Sequence, residues 1–130
     1  MVSLLTPEEV TELDLGQEEG WCQAHGIEFC SYPIADRGVP VSRRASVELV
    51  RKLDKALMEG KCIVVHCRQG IGRSALLVAC LLIVSGKELE TAFRHISAAR
   101  GYPVPETAEQ RKWVQALAVE LSAPLLRSRQ

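Results

Sequence analysis

A histidine, a cysteine, two arginines and a serine crowd into nine residues, His66-Cys67-Arg68-Gln69-Gly70-Ile71-Gly72-Arg73-Ser74. The run lies between the apolar stretch Cys62-Ile63-Val64-Val65 and the apolar, helix-like stretch Ala75 to Val84. A cysteine closing a buried strand, then a glycine-bearing loop, then a helix start suits nucleophilic attack on phosphorus. Loop N–H groups and a helix N-terminus bind anions. The same field lowers the pKa of a thiol, so Cys67 can act as a thiolate near neutral pH. Arg73 adds a planar fork matched to phosphate oxygens. A cation is otherwise poorly placed at a helix N-terminus, where the helix dipole repels it. Such a local misfit marks a functional residue. Gly70 and Gly72 let the backbone approach phosphate without a Cβ clash.

The rest of the chain bounds what that loop can serve. Its 130 residues fit one domain, 1–130, with a modest core, and 47% hydrophobic content is ordinary for a globule. Sixteen basic and sixteen acidic residues cancel. Bulk charge therefore recruits neither nucleic acid nor an anionic membrane, and anion affinity must be local. Five cysteines without C-x-x-C spacing argue against a zinc site or a disulfide framework. Reduced thiols in the cytoplasm are the simplest expectation. Met-Val-Ser-Leu-Leu has neither a basic leader nor a cleavage site. Ala75 to Val84 is too short to span a bilayer.

The elements that must position the loop follow from periodicity and punctuation. Val2 to Leu5, Ile27 to Tyr32 and Cys62 to Val65 read as strands. Thr6-Pro7-Glu8-Glu9 opens a helix, with Thr6 as cap and Glu9 reaching back. Gln17 to His25 is a second short helix, stopped by Gly26. Ser46 to Glu59 is amphipathic, with Val47, Val50, Leu53 and Leu57 inward. Arg73 to Ser85 is the central helix. Leu89, Ala92, Phe93 and Ile96 mark the next, which ends near Gly101. Glu106 to Leu121 is the last, with Trp113, Val114, Leu117 and Leu121 inward. Ala123 to Gln130 reads as a frayed end. The order predicts an α/β fold, a mostly parallel sheet with helices on both faces.

The loop fills every fixed position of HCxxGxxR[ST], with His66, Cys67, Gly70, Arg73 and Ser74. The chain thus resembles the cysteine-based protein tyrosine phosphatase superfamily, and most of all its small atypical dual-specificity members, over Val2 to about Leu121. The resemblance implies a protein tyrosine phosphatase-like fold and a metal-independent, cofactor-free hydrolysis through a cysteinyl-phosphate. Cys67 would attack, and Arg73 with the N–H groups of Arg68, Gln69, Gly70, Ile71 and Gly72 would hold the phosphoryl group. Ser74 would ease departure of the thiolate, although serine is also a common residue at helix starts. His66 would brace the loop. Tyr32-Pro33-Ile34-Ala35-Asp36-Arg37-Gly38-Val39-Pro40 resembles the loop that carries the general acid, which makes Asp36 the proton donor. Without Cys67, Asp36 would read as a turn aspartate. Gln110 matches a glutamine that orients the hydrolytic water, but Thr107-Ala108-Glu109-Gln110 is also a capping box. Arg100 matches a residue supporting the loop.

The loop also satisfies G-x-G-x-x-A at Gly70 to Ala75, but no glycine directly follows the strand as a dinucleotide site requires. A rhodanese-like transferase would need neither Asp36 nor the Arg-Ser ending. A docking pseudophosphatase would typically lack one of Cys67, Arg73 and Asp36. Phosphotyrosine, with phosphoserine or phosphothreonine, in a phosphoprotein or phosphopeptide is the expected substrate. The loop carries no lysine for polyphosphorylated lipids. Relatives usually have a strand-bearing segment ahead of Val2. The chain is then expected to be a monomer, or to self-associate weakly through an exposed edge on the Val2 strand. Cys30 is the preferred partner should a second cysteine protect Cys67 from oxidation, since Cys62 is too far along its strand.

Overall fold

A computed structural model describes residues 1–68 and 72–122. Its sheet has three short parallel strands, β1 (Val2–Ser3), β2 (Cys30–Ser31) and β3 (Val65–His66), in the order β2-β1-β3. Val2 faces Cys30 on one side and Val65 on the other, and Ser3 faces Ser31 and His66. Pairing continues past the strands. Leu4 N–H donates to His66 O at 2.9 Å, and Ile34 N–H donates to Leu4 O at 3.0 Å. The segments after Ser3, Ser31 and His66 therefore leave the sheet at one end. Open parallel sheets bind ligands at that carboxyl end.

Two expectations are corrected here. The Val2 strand is not an open edge, because β2 and β3 occupy both its sides and carry the outer edges themselves. The strands are also shorter than the apolar runs. Ile27 and Val64 lie outside them and are 44% and 56% exposed. Among the described residues β3 is paired on one side only, so the apolar run ahead of it is not fully covered.

The described residues also form six helices: α1 (Pro7–Glu12), α2 (Glu18–Ala24), α3 (Arg43–Met58), α4 (Gly72–Val84), α5 (Leu89–Arg100) and α6 (Ala108–Ser122). Helix α1 has the expected capping box, with Thr6 and Glu9 satisfying each other's backbone N–H. Helix α3 starts earlier than its apolar spacing suggests, capped by the Ser42 hydroxyl on Ala45 N–H. Its buried face is Ser46, Leu49, Val50 and Leu53, whereas Leu57 is 43% exposed. Ser46 can face inward because its hydroxyl meets Ser42 O and the Tyr32 hydroxyl. Helix α6 begins at Ala108, which leaves Glu106 in the preceding turn.

Helix α4 is the hub and contacts α3, α5, α6 and β3. Ala75, Leu76, Leu77, Ala79 and Cys80 are buried along it. Phe93 and Ile96 of α5, and Val114 and Leu117 of α6, close over it. Each such aliphatic or aromatic side chain contributes about 1.5–3 kcal/mol when buried. That packing fixes the helix whose N-terminus opens the loop.

Candidate active site

At the carboxyl end of the sheet, a cavity of about 260 Å³ is lined by Asp36, Arg37, Cys67, Arg68, Gly72, Arg73 and Glu106. Strand β3 delivers Cys67 to its floor, and α4 opens at its wall. The Ser74 hydroxyl donates to Cys67 Sγ at 3.2 Å, a bond that favours a thiolate. Gln69, Gly70 and Ile71, expected to cradle phosphate, lie outside the described residues. A Cβ built at Gly72 would overlap the carboxylate end of the Glu106 side chain.

Arg73 is the most constrained group in the site, with its side chain 3% exposed. Its Nη1 donates to Glu9 Oε1 at 2.6 Å and to Ile34 O at 3.0 Å, and Nη2 donates to Glu9 Oε2 at 2.9 Å. Asp36 Oδ1 stands 3.7 Å from Nη2. The Arg73 hydrogen bond holds the Glu9 carboxyl down at about 2, against the opposing effect of burial, with Thr6 adding to the lowering. In return Glu9 raises the pKa of Arg73, with Cys67 and Asp36 contributing charge. Both terminal nitrogens of the expected phosphate fork are thus held by a carboxylate from α1.

The sequence reading gave Glu9 only its capping role. A buried arginine demands a counter-charge, but spacing does not say which of sixteen acids supplies it. The same holds one turn along α1, where Glu12 Oε2 accepts from Arg68 Nη1 at 2.7 Å. Hydrogen bonding and charge from Glu12 raise the pKa of Arg68. His66 Nε2 lies 2.8 Å from Glu18 Oε2 of α2 but makes no hydrogen bond.

The turn carrying Asp36 forms the opposite wall. Gly38 N–H donates to Ala35 O at 2.8 Å, closing a turn around Asp36 and Arg37. Arg37 takes a left-handed backbone, φ 61°, a strained choice for arginine. Its guanidinium reaches Glu106 across the cavity at 3.9 Å. Neither Arg37 nor Glu106 was singled out from sequence. Gln110 does not line the cavity. It is fully buried, its Oε1 accepting from Glu106 N–H at 2.9 Å and its Nε2 donating to Gly38 O at 3.2 Å. Arg100 is exposed and lines a separate cavity with His66, Ser74 and His95.

The expected redox partner of Cys67 is corrected. Cys30 pairs with Val2 on the strand beyond β1, two strand spacings from β3. That is on the order of 10 Å, beyond disulfide reach. No disulfide joins the five cysteines, and burial pushes the Cys80 thiol up to about 12.

The dual-specificity phosphatase catalytic-domain model matches residues 10–116. The chain belongs to that family. Human cyclin-dependent kinase inhibitor 3 is 30% identical over 115 residues, covering 87% of this chain and 51% of the relative. The chain spans about half the length of the curated relatives of that name. Bovine protein tyrosine phosphatase type IVA 3 is 34% identical over 77 residues, covering 58% of this chain and 44% of its own. Among solved structures, kinase associated phosphatase with its catalytic-site cysteine replaced by serine superposes with a TM-score of 0.81. It is 25% identical, over 94% of this chain and 69% of that one. The active form of Tk-PTP gives 0.77 at 28% identity, over 91% and 76%. The α/β fold is therefore the protein tyrosine phosphatase fold. Among the described residues, no helix is long and apolar enough to cross a membrane.

Proposed function

We propose that the domain hydrolyses phosphomonoesters on proteins, with phosphotyrosine as substrate and phosphoserine or phosphothreonine also accepted. The observation that carries this is Cys67 at the floor of a small cavity, hydrogen-bonded by Ser74 and flanked by Arg73 and Asp36. The thiolate attacks phosphorus and forms an S–P bond as the ester P–O bond breaks. Asp36 gives its proton to the departing oxygen. Water then attacks phosphorus and yields a proton to the Asp36 carboxylate. The S–P electrons return to sulfur and inorganic phosphate leaves. Arg73 meets the charge that spreads over the equatorial oxygens.

The substrate assignment rests on the rim. Among the described residues, charged side chains and no aromatic wall line the cavity. A short phosphoserine can reach sulfur as readily as a long phosphotyrosine. The phosphotyrosine complex solved for the TpbA variant comes from a structure 16% identical, so that likeness speaks to the fold alone.

The test is hydrolysis of para-nitrophenyl phosphate with EDTA present, for wild type, Cys67→Ser and Asp36→Ala. Activity should resist chelation, vanish in Cys67→Ser and fall by about 10²–10⁴-fold in Asp36→Ala for substrates that need a proton on the leaving group. Activity surviving Cys67→Ser would sink the mechanism. A well-folded but inert wild type would favour a phosphate-docking module. Phosphopeptides carrying each of the three phosphoresidues then settle the substrate class.

A further inference from the structure

We infer that Gln110 is a positioning residue for the general acid, acting from behind the cavity rather than on the hydrolytic water. This rests on Asp36 being that acid. The turn carrying Asp36 is pinned at both ends. At its start, Ile34 N–H donates to Leu4 O, and Ile34 O accepts from Arg73. At its end, Gly38 O accepts from Gln110 Nε2, across 72 residues of sequence. The other end of the same amide accepts Glu106 N–H, and the Gln110 main-chain N–H donates to Thr107 Oγ1. A water-orienting amide must present itself to the cavity. This one is 0% exposed, and both its ends are engaged with the cavity's two walls. Loss of the amide leaves Gly38 O and Glu106 N–H without these partners. The far end of the acid turn is then untethered, while Cys67, Ser74 and Arg73 keep their own contacts.

The two readings differ in the first half-reaction. A positioning role slows formation of the phosphoenzyme, and its hydrolysis too, because Asp36 takes the proton of the attacking water there. A water-orienting role slows hydrolysis alone. The experiment is rapid-mixing kinetics on aryl phosphates whose phenols range from acidic to basic, for Gln110→Met, Asp36→Asn and the double variant. Gln110→Met should slow phosphoenzyme formation by about 10–100-fold on phenyl phosphate, part of the general-acid contribution. It should leave phosphoenzyme formation from 2,4-dinitrophenyl phosphate almost unaffected, since that phenoxide departs without a proton. In the Asp36→Asn background it should add nothing. Gln110→Glu keeps the acceptor for Glu106 N–H but sets an acceptor against Gly38 O, and should show the same signature. Normal formation followed by slow hydrolysis and a larger burst would overturn the inference, as would an additive loss in the double variant. Asp36→Asn with a wild-type leaving-group dependence would remove the premise, and that result is seen without touching Gln110. Should Gln110→Met fail to fold, Gly38→Ala perturbs the same turn from within, because its Cβ would stand 3.0 Å from Ala35 O. A folded Gly38→Ala enzyme with a wild-type profile would also count against the idea.

Discussion

Glu9 and Glu12 lie on one face of the same short helix, and each holds an arginine that flanks Cys67 in the cavity. The Glu9–Arg73 pair is sealed, with side chains 10% and 3% exposed. The Glu12–Arg68 pair is open, at 59% and 43%. Burial turns the same chemistry into two devices. A sealed bidentate pair fixes one guanidinium orientation and is costly to break, because the survivor is a buried lone charge. An open pair exchanges with water and is screened by salt, so it sets local charge rather than geometry. Arg73 is prepared before substrate arrives, and Arg68 remains available to it.

The largest way to break this contrast is Arg73→Lys. Lysine keeps the charge but not the fork, so it can neither satisfy both Glu9 oxygens nor follow the equatorial phosphate oxygens. Turnover should fall by about 10²–10³-fold, the scale of losing one transition-state donor. Steady-state kinetics on para-nitrophenyl phosphate check it, and near-normal turnover would mean that charge alone suffices.

Glu9→Gln comes next and tests the sealed pair directly. The neutral amide keeps a single acceptor against a buried guanidinium, and unfolding experiments at neutral pH should show a loss of about 3 kcal/mol. The pH dependence carries a sign. The Glu9 carboxyl is held at about 2, below the ordinary 4.5. Its stabilisation is therefore complete above the ordinary value and is lost as pH falls from there through about 2. Wild type and variant should converge in stability across that acid window. A constant gap down to pH 2 would show that the lost stability was packing and not charge.

These pairs also mark where sequence stopped being informative. The Cys67 loop, the α4 hub and the Thr6–Glu9 cap were legible because each is written in adjacent residues or in a fixed period. The buried face of α3 was only half legible. Val50 and Leu53 follow apolar spacing, but Ser46 is buried through hydrogen bonds that apolarity cannot signal. Glu9 already had a local explanation, which hid its partner 64 residues away. Gln110 meets Glu106 within one helical turn, but it meets Gly38 only after folding brings together walls 72 residues apart in sequence. The exposed Val64 shows the converse, since an apolar run predicts burial only where neighbours exist to cover it.

The smallest expected effect belongs to Glu12→Gln. Arg68 would lose its partner but not its place on the cavity rim. With Arg68 released, phosphopeptides bearing acidic residues beside the phosphoresidue should show a KM lower by roughly two-fold, the scale of one exposed ion pair. Turnover and melting temperature should stay at wild-type values. The gain should shrink as salt rises toward 0.5 M, because solvent-exposed charges are screened over a few ångströms there. An altered kcat would mean that Glu12, like Glu9, orders the loop, and the division between a fixed and an exchangeable arginine would fail. A KM gain that ignores salt would instead point to a direct contact between position 12 and the peptide.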